Sequence, residues 1–337
     1  MSIKDTLPYD PWQVLSKPMW EQTQSSIRTF QTCPQKYAFR YLYHLIPTGI
    51  SKALTVGTAV HKALEILLDP KRTTPAAERL VQAEQAIEAF FEKKLEEPAA
   101  SMGKVAEHLE HGRAQAHACV RAWVFNSLQN IPFTVLTTES VIRAPAPANT
   151  YDTLVTRAAA KIDGTVRDAE GRKWLLEHKT LSSIRNIEWV SMLDTDHQAI
   201  WYLNLESHTN LEPPVGFYYN AIAKPAHKSG VTWEDLVNRM VEAMCAEPER
   251  YFALIPVLVS VPMLERLECN WRHVLERMDN LTGHNIEMNF NACDEYDGCP
   301  YRLLCRNLAD AGKPEDIFNL PEIELYQIQE PHNELTE

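Results

Sequence analysis

The first third of the chain carries apolar residues at helical spacing. In residues 55–68, 75–97 and 104–130 they recur three or four positions apart, which is the period of an amphipathic helix. Residues 25–46 predict a short helix, a break at Cys33-Pro34 and an aromatic-rich second helix, because proline interrupts helical hydrogen bonding. This part of the chain is therefore expected to be helical.

From residue 134 the pattern changes to short runs rich in β-branched residues, which favour strands. The predicted strands are residues 134–144, 153–168, 173–180 and 214–223. A helical pattern at residues 191–207 precedes the last strand, and residues 231–285 return to helical spacing. The order β-β-β-α-β inside a helical shell predicts an α/β (α+β) fold with a mixed sheet and not a helical bundle.

These changes of pattern suggest one large domain with two flanking segments. The predicted parts are an irregular arm at residues 1–20, a single domain at 21–311 and an acidic C-terminal tail at 312–337. Inside the domain we expect a helical part (21–131), a sheet core (132–225) and a helical part that carries clustered cysteines (226–311). The tail assignment rests on charge, since residues 314–337 hold seven acidic residues and no Lys or Arg.

Composition places the chain among ordinary globular proteins, with 45% hydrophobic and 23% charged residues in 337. The net charge of −12 argues against a uniformly basic nucleic-acid-binding surface. The charge is unevenly distributed, however, because residues 22–64 contain five basic residues and no acidic one. The chain has no apolar run of membrane-spanning length and no apolar signal-peptide core. We therefore expect a soluble, cytoplasmic protein.

The predicted hairpin at residues 158–180 contains the main candidate catalytic and metal-binding residues. If Ala169-Glu170-Gly171 closes it, Asp168 faces Arg172 and Asp163 lies opposite Glu177. Paired residues project from one face, and Lys179 shares that face by strand alternation. Two carboxylates beside an ammonium group suit Mg²⁺ or Mn²⁺. The alternative is an ordinary cross-strand salt bridge, and a one-residue slip would move Glu177 and Lys179 to the other face.

Three further polar residues are candidates for the same site. His61 follows Gly57, Thr58 and Ala59, whose small side chains permit close backbone approach at a helix start. Gln198 and Tyr202 are four residues apart on the predicted helix after the hairpin, so they share a face. Taken alone, each has a purely structural alternative.

Three of the seven cysteines cluster near the C-terminus as Cys293, Cys299 and Cys305. Their five-residue separations fit poorly to zinc knuckles, whose cysteines are two to four residues apart. Three clustered thiolates and one distant thiolate suit an iron–sulfur cubane with four cysteine ligands. The alternative is three unligated thiols. The helical patterns around Cys119, Cys245 and Cys269 predict core positions for these three.

The order of these motifs resembles the RecB/Cas4-like branch of the PD-(D/E)XK nuclease superfamily. The resemblance covers residues 24–306, and the matching residues in chain order are Cys33, His61, Asp163, Glu177-His178-Lys179, Gln198, Tyr202, Cys293, Cys299 and Cys305. The commoner family pattern separates the first two cysteines of the trio by two residues, and here five separate them.

The resemblance implies a restriction-endonuclease-like fold and a metal-dependent DNA nuclease, most typically a single-strand or end-directed exonuclease of recombination or repair. It implies that one or two Mg²⁺ or Mn²⁺ ions bind His61, Asp163, Glu177 and the His178 carbonyl, with Lys179, Gln198 and Tyr202 as catalytic residues. It also implies that Cys33, Cys293, Cys299 and Cys305 hold a 4Fe-4S cluster.

The resemblance leaves the substrate contacts and partners open. The segment that contains Arg28, Lys36, Tyr37, Arg40 and Tyr41 could stack bases and contact phosphates, or it could be a core-packing helix with a solvated edge. The chain has no GxxxxGK[ST] motif, so no built-in ATPase is expected and a helicase or recombination partner would be a separate protein. Two other functions are a Cas4-like accessory protein in a DNA-processing complex and a non-catalytic Fe-S structural protein of the same fold.

Overall fold

A computed structural model describes residues 21–47, 52–96, 103–145, 157–184, 190–226, 232–281, 286–294, 298–311, 323 and 325–328. The chain divides into two compact units, which we treat separately. The cysteine-bearing unit comprises Met1–Thr48, Arg143–Ala160 and Val261–Glu337. The sheet unit comprises Gly49–Ile142 and Lys161–Ser260.

The described residues form helices and strands in the predicted order, with three additional strands at residues 45–47, 252–258 and 326–328. The helices are α1 Gln24–Thr32, α2 Pro34–Tyr37, α3 Lys52–Leu68, α4 Ala76–Leu95, α5 Gly103–Asn126, α6 His197–Thr209, α7 Trp233–Ala246, α8 Pro248–Tyr251, α9 Val261–Asp279 and α10 Arg302–Ala311. The strands are β1 Leu45–Pro47, β2 Phe133–Pro145, β3 Arg157–Asp168, β4 Lys173–Leu181, β5 Gly216–Ala223, β6 Phe252–Leu258 and β7 Tyr326–Ile328. A π-helix, Ala38–Leu42, continues α2.

A five-stranded sheet in the order β2-β3-β4-β5-β6 forms the centre of the sheet unit. Strand β4 pairs antiparallel with β3 and parallel with β5, and β5 pairs antiparallel with β6. The parallel pair requires a crossover, which α6 supplies between β4 and β5. This mixed sheet flanked by helices confirms the predicted α/β (α+β), restriction-endonuclease-like fold class.

The two faces of the sheet bury different side chains. Trp174 and Leu176 of β4, together with Tyr218 and Ile222 of β5, lie in a core cluster with apolar residues of α3, α4, α5 and α7. Since successive strand residues point to opposite faces, Glu177 and Lys179 belong to the other face, where α6 packs against β5. The strand thus places its charged residues on the α6 face and its apolar ones in the larger core.

Strand β6 corrects the prediction that residues 231–285 are entirely helical. Phe252–Leu258 pairs with β5 from Ile222 opposite Phe252 to Gly216 opposite Leu258. The periodicity of a short apolar run fits a buried helix and a strand equally well. Residues 252–258 form a strand because β5 is available to pair with them. Pro256 is tolerated because β6 is an edge strand.

The first described helix of the cysteine-bearing unit is α1, which Thr23 caps through a capping box with Ser26. The predicted break lies at Cys33, where the backbone is extended between α1 and α2. Strand β1 pairs antiparallel with β7, which lies within the residues predicted to form the acidic tail. The rest of that tail, apart from residues 323 and 325, and the predicted arm at residues 1–20 lie outside the described residues. Tyr326 stacks on Tyr301 and donates a hydrogen bond to the carbonyl of Pro300 at 2.6 Å.

In the part of the chain that the structure describes, no helix is both long and apolar enough to cross a bilayer.

Candidate active site

The β3–β4 hairpin has the register that the sequence predicts. Asp168 N–H donates to the Arg172 carbonyl at 3.1 Å, and the paired residues run from Arg167 with Lys173 to Gly164 with Leu176. Gly171 adopts φ of 82° in the turn, a conformation that favours glycine. The next pair in this register is Asp163 with Glu177, so the one-residue slip is excluded.

Asp163 is held on both of its carboxylate oxygens. Its Oδ1 lies 3.3 Å from His61 Nδ1, and its Oδ2 accepts a hydrogen bond from the backbone N–H of His178 at 2.7 Å. A continued ladder would pair His178 with Ile162, because paired residue numbers sum to 340 as in Gly164 with Leu176. The regular pairing of β3 with β4 therefore ends here, and the His178 N–H bonds to the Asp163 carboxylate instead.

Glu177 and Lys179 form an ion pair on the α6 face of β4. Lys179 Nζ lies 2.8 Å from Glu177 Oε1 and donates to Gln198 Oε1 at 2.7 Å. Gln198 Nε2 in turn donates to the Tyr202 hydroxyl at 2.9 Å. The shared helix face predicted for Gln198 and Tyr202 is confirmed, and both residues belong to one hydrogen-bonded chain that ends on Lys179.

Close packing of α3 against β4 brings His61 to Asp163. A Cβ atom added at Gly57 would lie 2.9 Å from the Thr180 hydroxyl oxygen, so only glycine fits without a shift. His61 follows one helical turn later, and residues four apart share a helix face. The close approach expected from the small residues before His61 is thus present at Gly57.

Burial and neighbouring charges shift the acidic groups in opposite directions. Burial raises the pKa of Glu177 to about 7, although Lys179 opposes this change. Burial would also raise the pKa of Asp163, but the His61 and His178 contacts outweigh it and hold that pKa well below its usual range. Two carboxyls with well-separated pKa values in one buried site are typical of functional sites.

His178 lies between the two charged residues of β4 but points the other way. Its buried ring contacts the His61 ring edge-on at 5.7 Å between centroids. Burial lowers the pKa of His178 to about 4. A neutral ring at this position adds no positive charge beside Lys179.

Three residues of the site were not predicted from the sequence. Asp196 caps α6 by accepting from the backbone N–H groups of Gln198 and Ala199, and after Glu177 it is the next charge that raises the pKa of Lys179. Its position just before a helical pattern was a usable signal, since aspartate is a preferred cap. Asn220, which contacts His178, and Trp123, which contacts Asn220, had no such local signal.

Four cysteines of the cysteine-bearing unit line one cavity of about 640 Å³, and these are Cys33, Cys293, Cys299 and Cys305. Gly298 has φ of 95° before Cys299, whose N–H donates to the Cys293 carbonyl at 2.8 Å. This hydrogen bond brings together two cysteines that five residues separate in the sequence. Burial, and then the other three cysteines of the cavity, raise the pKa of Cys305 to about 11.

The remaining cysteines only partly follow their predicted core positions. Cys119 is fully buried and Cys245 is half-buried. Cys269 is exposed on α9, so its prediction as a core residue is wrong. The helical pattern correctly identified the helix but not which face Cys269 occupies.

Tyr37 requires a correction within the segment predicted to contact nucleic acid. Its ring is only 2% exposed and packs edge-on against Phe30, so it cannot stack on a base. Arg28 and Arg40 are exposed, and Lys36 and Tyr41 are half-buried. The Arg40 guanidinium lies 5.5 Å from the centre of the Tyr41 ring. For these four residues, contact with nucleic acid stays a prediction.

Among the described residues, no three His, Cys, Asp or Glu side chains are arranged as ready ligands for one metal ion. The oxygens of Asp163 and Glu177 instead have protein cations and N–H groups as partners.

Comparison with known proteins identifies the family. The family model of the PD-(D/E)XK nuclease superfamily matches residues 21–306, which include every residue of the site. No curated protein matches the chain. Membership of this superfamily implies nuclease activity in general, and its nucleases typically use Mg²⁺ or Mn²⁺. The chain belongs to the PD-(D/E)XK nuclease superfamily.

Proposed function

We propose that the protein is a metal-dependent DNA nuclease, acting as a single-strand or end-directed exonuclease in DNA recombination, repair or processing. The observation that carries this proposal is the convergence of Asp163, Glu177 and Lys179 at the point where the β3–β4 ladder ends. Family membership supports nuclease activity, and the RecB/Cas4-like order of motifs supports action on single strands or ends.

The donor set fits a hard divalent cation. Asp163 and Glu177 would bind Mg²⁺ or Mn²⁺ through carboxylate oxygens, and His61 and the backbone carbonyl of His178 would complete the ligand set. Burial raises the pKa of Glu177 to about 7, so a nearby cation would favour the charged carboxylate that ligation requires. When bound, such an ion lowers the pKa of water and stabilises charge on the phosphate.

Lys179 would supply the protein's own part of the chemistry. Its ammonium group would orient the attacking water and stabilise the negative charge that develops on the phosphate oxygens. Gln198 holds Nζ by accepting its hydrogen bond, and Tyr202 holds the Gln198 amide. These two residues would therefore fix the direction in which Lys179 points.

We also propose that Arg28, Lys36, Arg40 and Tyr41 contact the DNA substrate. Arginine and lysine would contact phosphates, and the Tyr41 ring would stack on a base. Because Arg28, Lys36 and Arg40 would release counterions from the phosphates they contact, binding should weaken as salt rises. The overall charge of −12 should keep the affinity modest. Unwinding of duplex DNA would need a separate helicase or recombination partner.

The exonuclease assignment predicts a difference between linear and circular single strands. In Mg²⁺ or Mn²⁺, linear single-stranded DNA labelled at one end should be shortened progressively. A covalently closed circle of the same sequence should stay intact over the same time, because it has no end. Gel analysis of both substrates decides, and a circle cleaved as fast as the linear strand would identify an endonuclease instead.

We propose further that Cys33, Cys293, Cys299 and Cys305 hold a 4Fe-4S cluster. All four line the same cavity. A cubane binds its four thiolates through four separate iron atoms, so its ligands need not converge on one point as in a mononuclear site. Such a cluster would link α1–α2 to the C-terminal segment.

One buried polar group fits this cluster proposal. Gln35 lines the cavity and is 4% exposed, and its side-chain nitrogen has no hydrogen-bond partner among the described residues. A buried N–H without a partner is costly. Cluster sulfurs accept hydrogen bonds that tune the reduction potential, so a cluster would provide a partner for this nitrogen.

The cluster predicts a specific pattern of cysteine substitutions. Protein purified without oxygen should contain iron and sulfide in equal amounts, near four of each per chain. Cys299→Ala and Cys305→Ala should lose most of the iron and melt at lower temperature. Cys269→Ser, at the exposed cysteine of the same unit, should retain the iron. A colourless wild-type protein with stoichiometric zinc would refute the cluster.

A further inference from the structure

A chain of three buried side chains leads from α5 to the middle of the Glu177-His178-Lys179 motif. Trp123 Nε1 lies 3.0 Å from Asn220 Oδ1, and Asn220 Nδ2 lies 2.9 Å from His178 Nδ1. Trp123 is 2% exposed, Asn220 6% and His178 3%. The residues are far apart in sequence but consecutive in space, so their contact depends on the completed fold.

The hydrogen bonds in this chain have one possible direction. An indole nitrogen can only donate, so Trp123 must face the amide oxygen of Asn220. The Asn220 nitrogen then faces His178 and donates, which makes Nδ1 of His178 the acceptor. The His178 ring therefore carries its proton on Nε2.

Through the sheet, the fixed position of the His178 side chain restricts the positions of the active-site residues. His178 and Asn220 are register partners in the parallel β4–β5 pair, and Glu177 and Lys179 alternate to the opposite face. The backbone N–H of the same His178 donates to Asp163 Oδ2 at 2.7 Å. Fixing the His178 side chain in the core thus fixes the backbone N–H that holds Asp163. It also fixes the positions of Glu177 and Lys179 on the strand.

We propose that Trp123 and Asn220 are positioning residues for the metal-binding carboxylates: they hold His178 so that its N–H stays on Asp163 and Glu177 faces the same site. This inference rests on the proposed function, because it assigns divalent-metal binding to Asp163 and Glu177. Neither residue touches substrate or metal. Partners that orient metal ligands from outside contribute substantially to metal affinity.

The test is direct Mn²⁺ titration of the full chain, with free Mn²⁺ followed by electron paramagnetic resonance in the absence of DNA. Asn220→Ala should weaken Mn²⁺ binding by about 10–100-fold. Trp123→Phe, which retains an aromatic ring but removes the donor, should weaken it less. The double variant should bind no more weakly than Asn220→Ala, because both changes break the same chain.

Asn126→Ala provides a matched control for general loss of stability. Asn126 lies on α5 beside the same cavity as Trp123, and its side chain also makes hydrogen bonds, to the Ala122 carbonyl and Cys245 Sγ. It does not contact His178 or Asn220 through these bonds. Its substitution should lower the melting temperature and leave Mn²⁺ affinity within about twofold of the wild type, the usual tolerance for an independent site.

Nitrogen-15 NMR of histidine-labelled wild-type protein gives a second readout that needs no variant to fold. The proposal requires His178 Nδ1 to be unprotonated and Nε2 to carry the proton. A proton on Nδ1 would overturn it, as would Mn²⁺ affinity unchanged in Asn220→Ala or lowered equally in Asn126→Ala. If the wild type binds no Mn²⁺, or binds it as well after Asp163→Asn, the proposed function fails together with this inference.

Discussion

Asp163→Asn is expected to reduce DNA cleavage on the order of 10³-fold or more, equivalent to about 4 kcal/mol of transition-state stabilisation. The substitution removes the negative charge that would bind the divalent cation while keeping the size of the side chain. An amide oxygen can still accept from the His178 N–H, so the hairpin should fold. The measurement is the initial rate of cleavage of end-labelled DNA at saturating Mn²⁺.

Glu170→Gln is the matched control for this substitution. It makes the same change from carboxylate to amide at the exposed tip of the same hairpin, where Glu170 contacts only Arg172 among its described partners. Its rate should equal that of the wild type. If Asp163→Asn cleaves at more than about a tenth of the wild-type rate, a loss of less than 1.4 kcal/mol, Asp163 is not a metal ligand.

Lys179→Met is expected to reduce kcat by about 10²–10³-fold, the usual cost of removing one group that stabilises charge in the transition state. Methionine retains most of the side-chain length but cannot orient water or stabilise charge on the phosphate. KM for DNA should change much less than kcat, because the interaction with Lys179 forms mainly in the transition state. Steady-state kinetics on a short single-stranded substrate separate the two parameters.

Lys173→Met on the same strand tests whether the loss of a buried ion pair alone explains the effect. Lys173 Nζ lies 3.0 Å from Glu206 Oε2, and both side chains are largely buried. Breaking this pair should destabilise the fold while leaving kcat per folded molecule unchanged. Equal losses of kcat in Lys173→Met and Lys179→Met would remove Lys179 from the proposed chemistry.

The hairpin that carries these residues could be predicted because its determinants are local. A turn with Gly171 and the alternation of the strands set the register, and the register sets Asp163 opposite Glu177. The helix face shared by Gln198 and Tyr202 follows from their spacing alone. The same reasoning predicted a close approach near His61, although not that Thr180 would be the residue approached.

Features that depend on distant contacts could not be predicted in this way. Strand β6 has an apolar run that is ambiguous until β5 is present to pair with it. Tyr37 looks like a base-stacking residue among basic neighbours, but Phe30 and the rest of the core bury it. Asn220 and Trp123 meet only because α5 packs on β5. The residues adjacent in sequence to each of these positions do not indicate which distant residue will contact it.

The central claim is that this chain hydrolyses DNA with a divalent cation bound at Asp163 and Glu177. The most direct measurement is incubation of purified wild-type protein with labelled single- and double-stranded DNA, with Mg²⁺ or Mn²⁺ and with EDTA. The account predicts cleavage in the presence of either or both metals, none in EDTA, and recovery when excess metal is added back. Cleavage that persists in EDTA, or no cleavage with either metal and either substrate, would contradict it.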